Sequence, residues 1–280
     1  MLIRFGYDIS VSCAQDTPMV CLMSVRDERR DDVRSQSGLI TTPAVPVTTY
    51  RDLFGNTCRR FVAPVGLFSL RSDSTIISPP DLDAVALTTP ETAIAALPDD
   101  CLLYLLGSRY CETDKLSQTA WDLFGTTPRG WARVQAICDY VHGHIQFDYM
   151  QARATRTAWE AWQEGVGVCR DYAHLAVAFC RCMNIPARYV NGYLGDIGVP
   201  ITGPMDFAAW IEVYLDGQWY TFDPRNNKPR IGRIVVAYGR DAADVPLIHS
   251  FGPHILRTFQ VWTDEVVAAD AAPALALDSG

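Results

Sequence analysis

The first third of the chain alternates apolar and polar residues as half-buried strands do. From Ile3 to Cys13 the odd positions are apolar or aromatic, and the even positions are mostly polar, small or charged. This period of two is typical of a strand with one buried face. Further short apolar runs lie at residues 19–25, 45–50, 58–65 and 67–77. Short strands at this spacing predict an antiparallel β-sandwich in the N-terminal part.

The pattern changes to a helical period near the middle of the chain. Residues 79–125 combine prolines with mixed apolar and polar positions, and predict a connection with some helix. Thr127 followed by Pro128 indicates a helix start, because a capping hydroxyl before proline is favoured there. The apolar stripe of this helix is Trp131, Val134, Cys138, Val141 and Ile145.

Two further helices are expected around a glycine-containing turn. The first covers about Thr157 to Glu164, and the turn at 165–167 reads Gly-Val-Gly. The second begins at Cys169 and ends before Pro186, because proline cannot continue a helix. The turn therefore delivers the chain to a cysteine at a helix N-terminus.

The last third returns to strands and contains a clear hairpin signal. Residues 209–215 and 218–223 flank Asp216-Gly217, a favoured two-residue turn. A two-residue turn sets the register, which pairs Trp210 with Asp223. Other strands are expected at residues 188–194, 231–238 and 256–266, and the Ala-rich end is expected to fray.

Composition narrows the classes of function. The net charge is −8, and no dense Lys/Arg run is present. A nucleic-acid or anionic-membrane partner is therefore not expected, because both require clustered positive charge. No stretch approaches the roughly 20 apolar residues of a membrane helix, and the N-terminus lacks signal-peptide order. We expect a cytoplasmic protein in which most of the nine cysteines are buried free thiols, with no metal and no cofactor.

Cys169 is the candidate nucleophile. Unpaired N–H groups and the dipole at a helix N-terminus favour a thiolate. The same amides could stabilise the oxyanion that forms when sulfur attacks an acyl carbon. The alternative interpretation is that Cys169 is a buried small apolar residue, as most cysteines are.

The hairpin register places position 208 and Asp223 on one face as diagonal cross-strand neighbours, roughly 7–8 Å apart by backbone. A histidine at 208 could hydrogen-bond Asp223 and present its other ring nitrogen to a thiol, which is how a general base is oriented. The residue there is Ala208.

Four segments together resemble the core motifs of the transglutaminase-like superfamily, in the same order and with fitting spacing. They are GVCRDY at 167–172, NIPARYVNGY at 184–193, AWIEVY at 209–214 and WYTFDP at 219–224. The resemblance covers roughly residues 127–238. The strand-rich first third resembles the N-terminal domain that precedes this core in many bacterial members.

The resemblance implies a papain-like Cys-His-Asp triad. Cys169 matches the nucleophile and Asp223 the residue that orients the histidine, whose own position is Ala208. Alanine cannot transfer a proton, and general acid–base steps typically supply about 10²–10⁴-fold in rate. Turnover should therefore be severely weakened. Either the natural protein lacks this histidine, or the chain was altered to stop turnover.

The remaining histidines offer weak substitutes. His174 lies about 140° around its helix from Cys169 and should point elsewhere. His142 and His144 lie near a helix C-terminus, where a cation complements the dipole. His249 and His254 occupy a loop-like stretch, and one of them could complete the triad.

Together these features predict an α+β protein. Residues 1–115 form a β-sandwich-like N-terminal domain, residues 116–267 form a papain-like transglutaminase core of helices and antiparallel sheet, and residues 268–280 form a flexible tail. By resemblance, the substrate is a protein or peptide, and the enzyme is a cysteine protease, amidase or amide acyltransferase. The alternative is an inactive binding or scaffold module with the same fold. Hydrolysis versus acyl transfer, the substrate and the oligomeric state stay open.

Overall fold

A computed structural model describes residues 1–201 and 207–266 of the chain. The tail predicted at residues 268–280 lies outside the described residues. Within them, helices and mainly antiparallel sheets combine as expected for an α+β protein. No helix in the described ranges is long and apolar enough to cross a membrane.

The described residues contain fifteen strands. They are β1 (Leu2–Cys13), β2 (Thr17–Cys21), β3 (Val33–Gln36), β4 (Ile40–Thr42), β5 (Thr48–Arg51), β6 (Thr57–Ala63), β7 (Gly66–Ile77), β8 (Gln146–Phe147), β9 (Val166–Gly167), β10 (Ala187–Tyr193), β11 (Phe207–Leu215), β12 (Gln218–Phe222), β13 (Ile234–Gly239), β14 (Ile248–Ser250) and β15 (His254–Glu265). 

The same residues contain five α-helices and four 3₁₀ segments. The helices are α1 (Asp99–Leu102), α2 (Thr113–Phe124), α3 (Trp131–His144), α4 (Ala158–Glu164) and α5 (Cys169–Cys182). The 3₁₀ segments are Asp27–Asp32, Ile94–Ala96, Leu103–Leu105 and Tyr149–Gln151.

Two antiparallel sheets form the strand-rich part. One has the order β15-β1-β7-β3, with β4 also pairing β7, and the other has the order β14-β2-β6-β5. In β1 the side chains of Ile3, Phe5, Tyr7, Ile9 and Val11 are buried, which confirms the alternation in the sequence. The rings of Phe61 on β6 and Phe68 on β7 pack against each other across the two sheets, with centroids 5.4 Å apart.

The two C-terminal strands complete these N-terminal sheets. β15 pairs with β1 from Ile3↔Glu265 to Cys13↔His254, and β14 pairs with β2. The predicted core, residues 116–267, therefore included strands that belong to the sheets of the first domain. Apolar alternation identifies a strand but not its partner, which is why the sequence division missed this return of the chain.

The third large sheet has the order β12-β11-β10-β13. The hairpin register is as predicted from Leu215↔Gln218 to Ile211↔Phe222. α5 packs against α2, α3, α4, β10 and β11. β11 is buried on both faces, because Trp210, Glu212 and Tyr214 are buried as well as Ile211 and Val213.

One helix start was predicted wrongly. α3 begins at Trp131 and its N-cap is Gly130, which has a φ of 83° and makes no side-chain cap. The Thr127 hydroxyl instead donates to the carbonyl oxygen of Phe124, at the end of α2, and accepts from Arg133. The capping hydroxyl therefore serves the end of the preceding helix.

Candidate active site

Cys169 is the first residue of α5. Helix caps and a strand pair fix the backbone segment that leads to it. α4 begins with a capping box, in which the Thr157 hydroxyl accepts from Glu160 N–H and the Glu160 carboxylate accepts from Thr157 N–H. It ends at Gly165 in the left-handed conformation that glycine adopts readily. The following β9 pairs in parallel with β8, so the turn into Cys169 is anchored on both sides.

The carboxylate of Asp171 ties this turn to the first turn of α5. It accepts from Val168 N–H at 2.9 Å and from Arg156 Nη1 at 3.1 Å. A Cβ at position 167 would lie 2.7 Å from Asp171 Cβ and Oδ2, so Gly167 allows the close approach. Arg170 donates to the carbonyl oxygens of Ala154 and residue 153. Cys169 is therefore held in a rigid frame with two neighbouring guanidinium groups.

A cavity of about 430 Å³ opens beside Cys169. Cys169 is half-buried, whereas the other eight cysteines, all in the described residues, are buried free thiols. The cavity wall combines an apolar rim with a few polar groups. It is lined by Tyr110, Ala154, Cys169, Arg170, Tyr189, Asn191, Phe207, Ala208, Ala209, Ala242, Val245, Pro246, Leu247, Ile248 and Phe259.

Ala208 lies in the same cavity wall as Cys169. It is half-buried and stands on β11 opposite Gly192 of β10. A methyl side chain beside a glycine fills little space. The structure thus brings together the predicted nucleophile and the position that the family resemblance gives to histidine.

Asp223 lines a different cavity from Cys169. It directly follows β12 and is not among the residues that line the Cys169 cavity; it lines a second cavity of about 280 Å³ together with Asp83, Trp131 and Cys138. Its Oδ2 accepts from Arg233 Nη2 at 2.9 Å and from Asn226 Nδ2 at 2.8 Å. Its Oδ1 accepts from Asn226 N–H at 2.9 Å.

These contacts determine the ionisation of Asp223. Burial alone would raise the pKa of this carboxyl, but the charge of Arg233 and the hydrogen bonds from Asn226 outweigh burial and hold the pKa below its usual value. Arg233 also donates to Asp83 and lies over the Trp210 ring at 4.8 Å. Asp223 is therefore an ionised member of a buried ionic network.

None of the five histidines lines the Cys169 cavity. His142 and His144 contact the carbonyl oxygens of Pro224 and Trp162. His174 is fully buried and does not line the cavity.

His249 and His254 lie in strands β14 and β15 rather than in the expected loop. The His249 ring packs edge-on against Phe251, and His254 Nδ1 lies 2.8 Å from the Ser250 hydroxyl. Their strand pairing with β2 and β1 holds both backbones in the N-terminal sheets.

Sequence reasoning missed several residues of the wall. Tyr110 and residues 245–248 come from segments without a motif, and only the fold brings them to Cys169. The sequence did carry a signal for Asn191, because this polar residue lies between Tyr189 and Tyr193 on one face of a mostly buried strand. Within residues 1–201 and 207–266, no group of three His, Cys, Asp or Glu could hold a metal ion.

Comparisons with known proteins agree with this architecture. The family model of the transglutaminase-like superfamily matches residues 118–224. A Cytophaga hutchinsonii protein of known structure, provisionally assigned as a cysteine protease, superposes with a TM-score of 0.83. The two sequences are 26% identical, and the superposition covers 99% of this chain and 94% of that chain.

Two curated mycobacterial relatives match a shorter part. An uncharacterised protein of Mycobacterium leprae is 39% identical over 85 residues, which are 28% of this chain and 29% of that protein. An uncharacterised protein of Mycobacterium tuberculosis is 40% identical over 90 residues, 29% of each. The match thus spans less than a third of the length of these relatives.

Proposed function

Because residues 118–224 belong to the transglutaminase-like superfamily, we propose that the chain carries a thiol acyl-transfer site for peptide or isopeptide amides. The Cys169 sulfur attacks the carbonyl carbon, the carbon–nitrogen bond breaks, and a thioester forms. The amine leaves with a proton. Water or a second amine then attacks the thioester and returns the thiol, which gives hydrolysis or acyl transfer respectively.

The observation that carries this proposal is that Cys169 and Ala208 line one cavity. The thiol stands at the first turn of α5, where the helix dipole favours a thiolate. Backbone amides at this turn are the proposed donors to the oxyanion. The proton that the attack releases has no imidazole to accept it at position 208, so we propose that turnover is slow in this chain.

A binding or scaffold module is the second candidate, and the environment of Asp223 favours it. A triad aspartate orients a histidine by accepting a hydrogen bond from its ring. Here both Asp223 oxygens already accept from Asn226, and one also accepts from Arg233. This network gives the acid a structural role that does not require catalysis.

We propose a protein or peptide as the partner, with no nucleic acid and no membrane, and a cytoplasmic location. The net charge of −8 supports the exclusion of a nucleic-acid partner. The nine cysteines support the cytoplasmic location, because all are free and a reducing compartment keeps thiols unpaired.

Ala208→His tests the acyl-transfer site. A base beside the thiol should accelerate acylation by p-nitrophenyl acetate by about 10²-fold or more at pH 7, the usual range for general-base catalysis. The burst of p-nitrophenolate in stopped flow measures this rate. Free imidazole should raise the acylation rate of the parent chain, because the small side chain of Ala208 leaves room for it beside the thiol.

Cys169→Ala in the same background is the control, and it should abolish the burst. An unchanged acylation rate in Ala208→His, with the melting temperature retained, would remove the acyl-transfer proposal and leave the scaffold. Asp223→Asn in the Ala208→His background then shows whether the aspartate orients the new imidazole.

A further inference from the structure

The side-chain amide of Asn191 is a buried polar group in the wall of the Cys169 cavity. We infer that Asn191 is a specificity-determining residue that hydrogen-bonds the amide of the substrate next to the reacting carbonyl. The inference rests on the proposed acyl-transfer site and deepens it, because it assigns the substrate class as a carboxamide or peptide amide.

The fold leaves this amide uncovered by neighbouring strands. Asn191 of β10 is opposite Ala209 of β11 and Ala237 of β13. Residues directly opposite each other share a face of the sheet, so both cross-strand neighbours are methyl groups. Asn191 is only 6% exposed, and the exposed part faces the cavity that Cys169 and Ala208 also line.

The amide makes no hydrogen bond with any residue in the described ranges, which sets it apart from the other buried asparagine, Asn56. Asn56 Nδ2 donates to Asp52 and to the Tyr238 carbonyl, while its Oδ1 accepts from Arg26 and Tyr238 N–H. Buried polar groups are nearly always paired in this way. An enclosed amide that reaches only a cavity is therefore suited to pair with a ligand.

The chemistry of the partner follows from the amide itself. A carboxamide offers two N–H donors and one carbonyl acceptor. Another amide matches this pattern, since its oxygen accepts and its N–H donates. An amide bound there would lie in the cavity that the Cys169 thiol also lines.

Two neutral thiol reagents separate amide recognition from thiol reactivity. Iodoacetamide carries a carboxamide and alkylates the thiol, with iodide leaving and the thiol proton released to solvent. Methyl methanethiosulfonate carries no amide and forms a mixed disulfide, with methanesulfinate leaving. The second-order rate constant of each reagent at Cys169 is measured by peptide mass spectrometry, and their ratio is compared among variants.

In Asn191→Ala the iodoacetamide rate should fall about fivefold relative to the thiosulfonate rate, the size expected for one hydrogen bond. Asn191→Asp keeps the shape of the side chain but loses both N–H donors, and should lower the ratio similarly. The melting temperature of Asn191→Ala should stay near that of the parent, whereas Asn56→Ala should lower it by several degrees.

An unchanged ratio in both Asn191 variants would overturn the inference while leaving Cys169 as a reactive thiol. A large loss of melting temperature with an unchanged ratio would assign Asn191 a structural role and overturn it too. If Cys169 of the parent reacts with neither reagent, the acyl-transfer proposal fails, and this inference fails with it.

Discussion

The imidazole of His174 supports the cavity wall from behind. It is fully buried and lies between the rings of Tyr110 and Tyr189, each with its centroid 5.1 Å away. Its Nε2 accepts from Ala242 N–H at 3.1 Å, so the proton of the neutral ring is on Nδ1. Tyr110, Tyr189 and Ala242 all line the cavity. One neutral side chain therefore positions three parts of the candidate site.

His174 should make stability depend on pH. Burial, and then the charges of Arg170 and Arg181, hold its pKa well below the usual value. In the unfolded chain the pKa is about 6.5. Below that pH the unfolded state binds a proton that the folded state excludes, so stability is complete above about pH 6.5 and falls as the pH decreases.

The expected loss from this residue is about 1.4 kcal/mol per pH unit below 6.5, continuing until the folded-state pKa is reached. Urea unfolding at pH 7.5, 6 and 5 measures it, with His174→Gln as the non-titrating control. The free energy of unfolding should fall more steeply in the parent chain. Parallel pH dependences would contradict a neutral, buried His174.

At the scale of elements, the N-terminus of α5 depends on a buried ion pair. The side chains of Arg156 and Asp171 are 3% and 0% exposed, and their closest atoms are 3.1 Å apart. Asp171 also accepts from the backbone of Val168. Removal of the Asp171 charge leaves the buried Arg156 with only the partly exposed Glu164 as its ion-pair partner, which is costly in a buried position.

Asp171→Asn should therefore lower the free energy of unfolding by about 3 kcal/mol. The matched control is Glu164→Gln, because Glu164 also pairs with Arg156 but its side chain is 34% exposed. Its loss should cost under about 1 kcal/mol, as partly exposed ion pairs do. Chemical denaturation of both variants checks this, and equal costs would argue against a special role for Asp171.

At the scale of the whole molecule, the last strand binds the core to the N-terminal sheets. β15 pairs with β1, and Gly195 lies against it just after β10. A Cβ at position 195 would stand 2.0 Å from the Thr263 carbonyl oxygen. The backbone at Thr263 cannot move aside as a flexible side chain can, so position 195 requires glycine.

Gly195→Ala should destabilise the protein by about 2 kcal/mol, in the range for overpacked sites. Gly143→Ala is the control, because a Cβ there meets nothing within 4 Å. It lies in the last turn of α3, where alanine is favoured over glycine by up to about 1 kcal/mol. Gly195→Ala should lower the melting temperature, and Gly143→Ala should raise it. An unchanged melting temperature in Gly195→Ala would mean that the contact between position 195 and β15 can open.

Short-range signals predicted much of the fold. The boundaries of α4, the start of α5 and the register of the β11–β12 hairpin follow from a capping residue, a turn and a helix stop, each a local property of a few residues. The start of α3 shows the limit of such signals. Thr127 has the chemistry of an N-cap, yet its hydroxyl bonds the end of α2.

The residues of the candidate site also fall into those that local sequence signals predicted and those that only the fold brings together. The sequence predicted Cys169 from its place at a helix start and position 208 from the hairpin register and the family resemblance, and the fold places both in one cavity wall. The sequence did not identify Tyr110, His174 or the 245–248 wall, because these come from distant segments.

Local pattern and motif order were therefore sufficient for most of the elements and for the resemblance to the transglutaminase-like superfamily. Tertiary packing alone decided which strands share a sheet, which side chains surround the thiol, and that Asp223 pairs with Arg233. The reason is physical: helix caps, turns and alternation depend on neighbours within a few residues. Sheet partners and buried ion pairs instead depend on groups that only folding brings together.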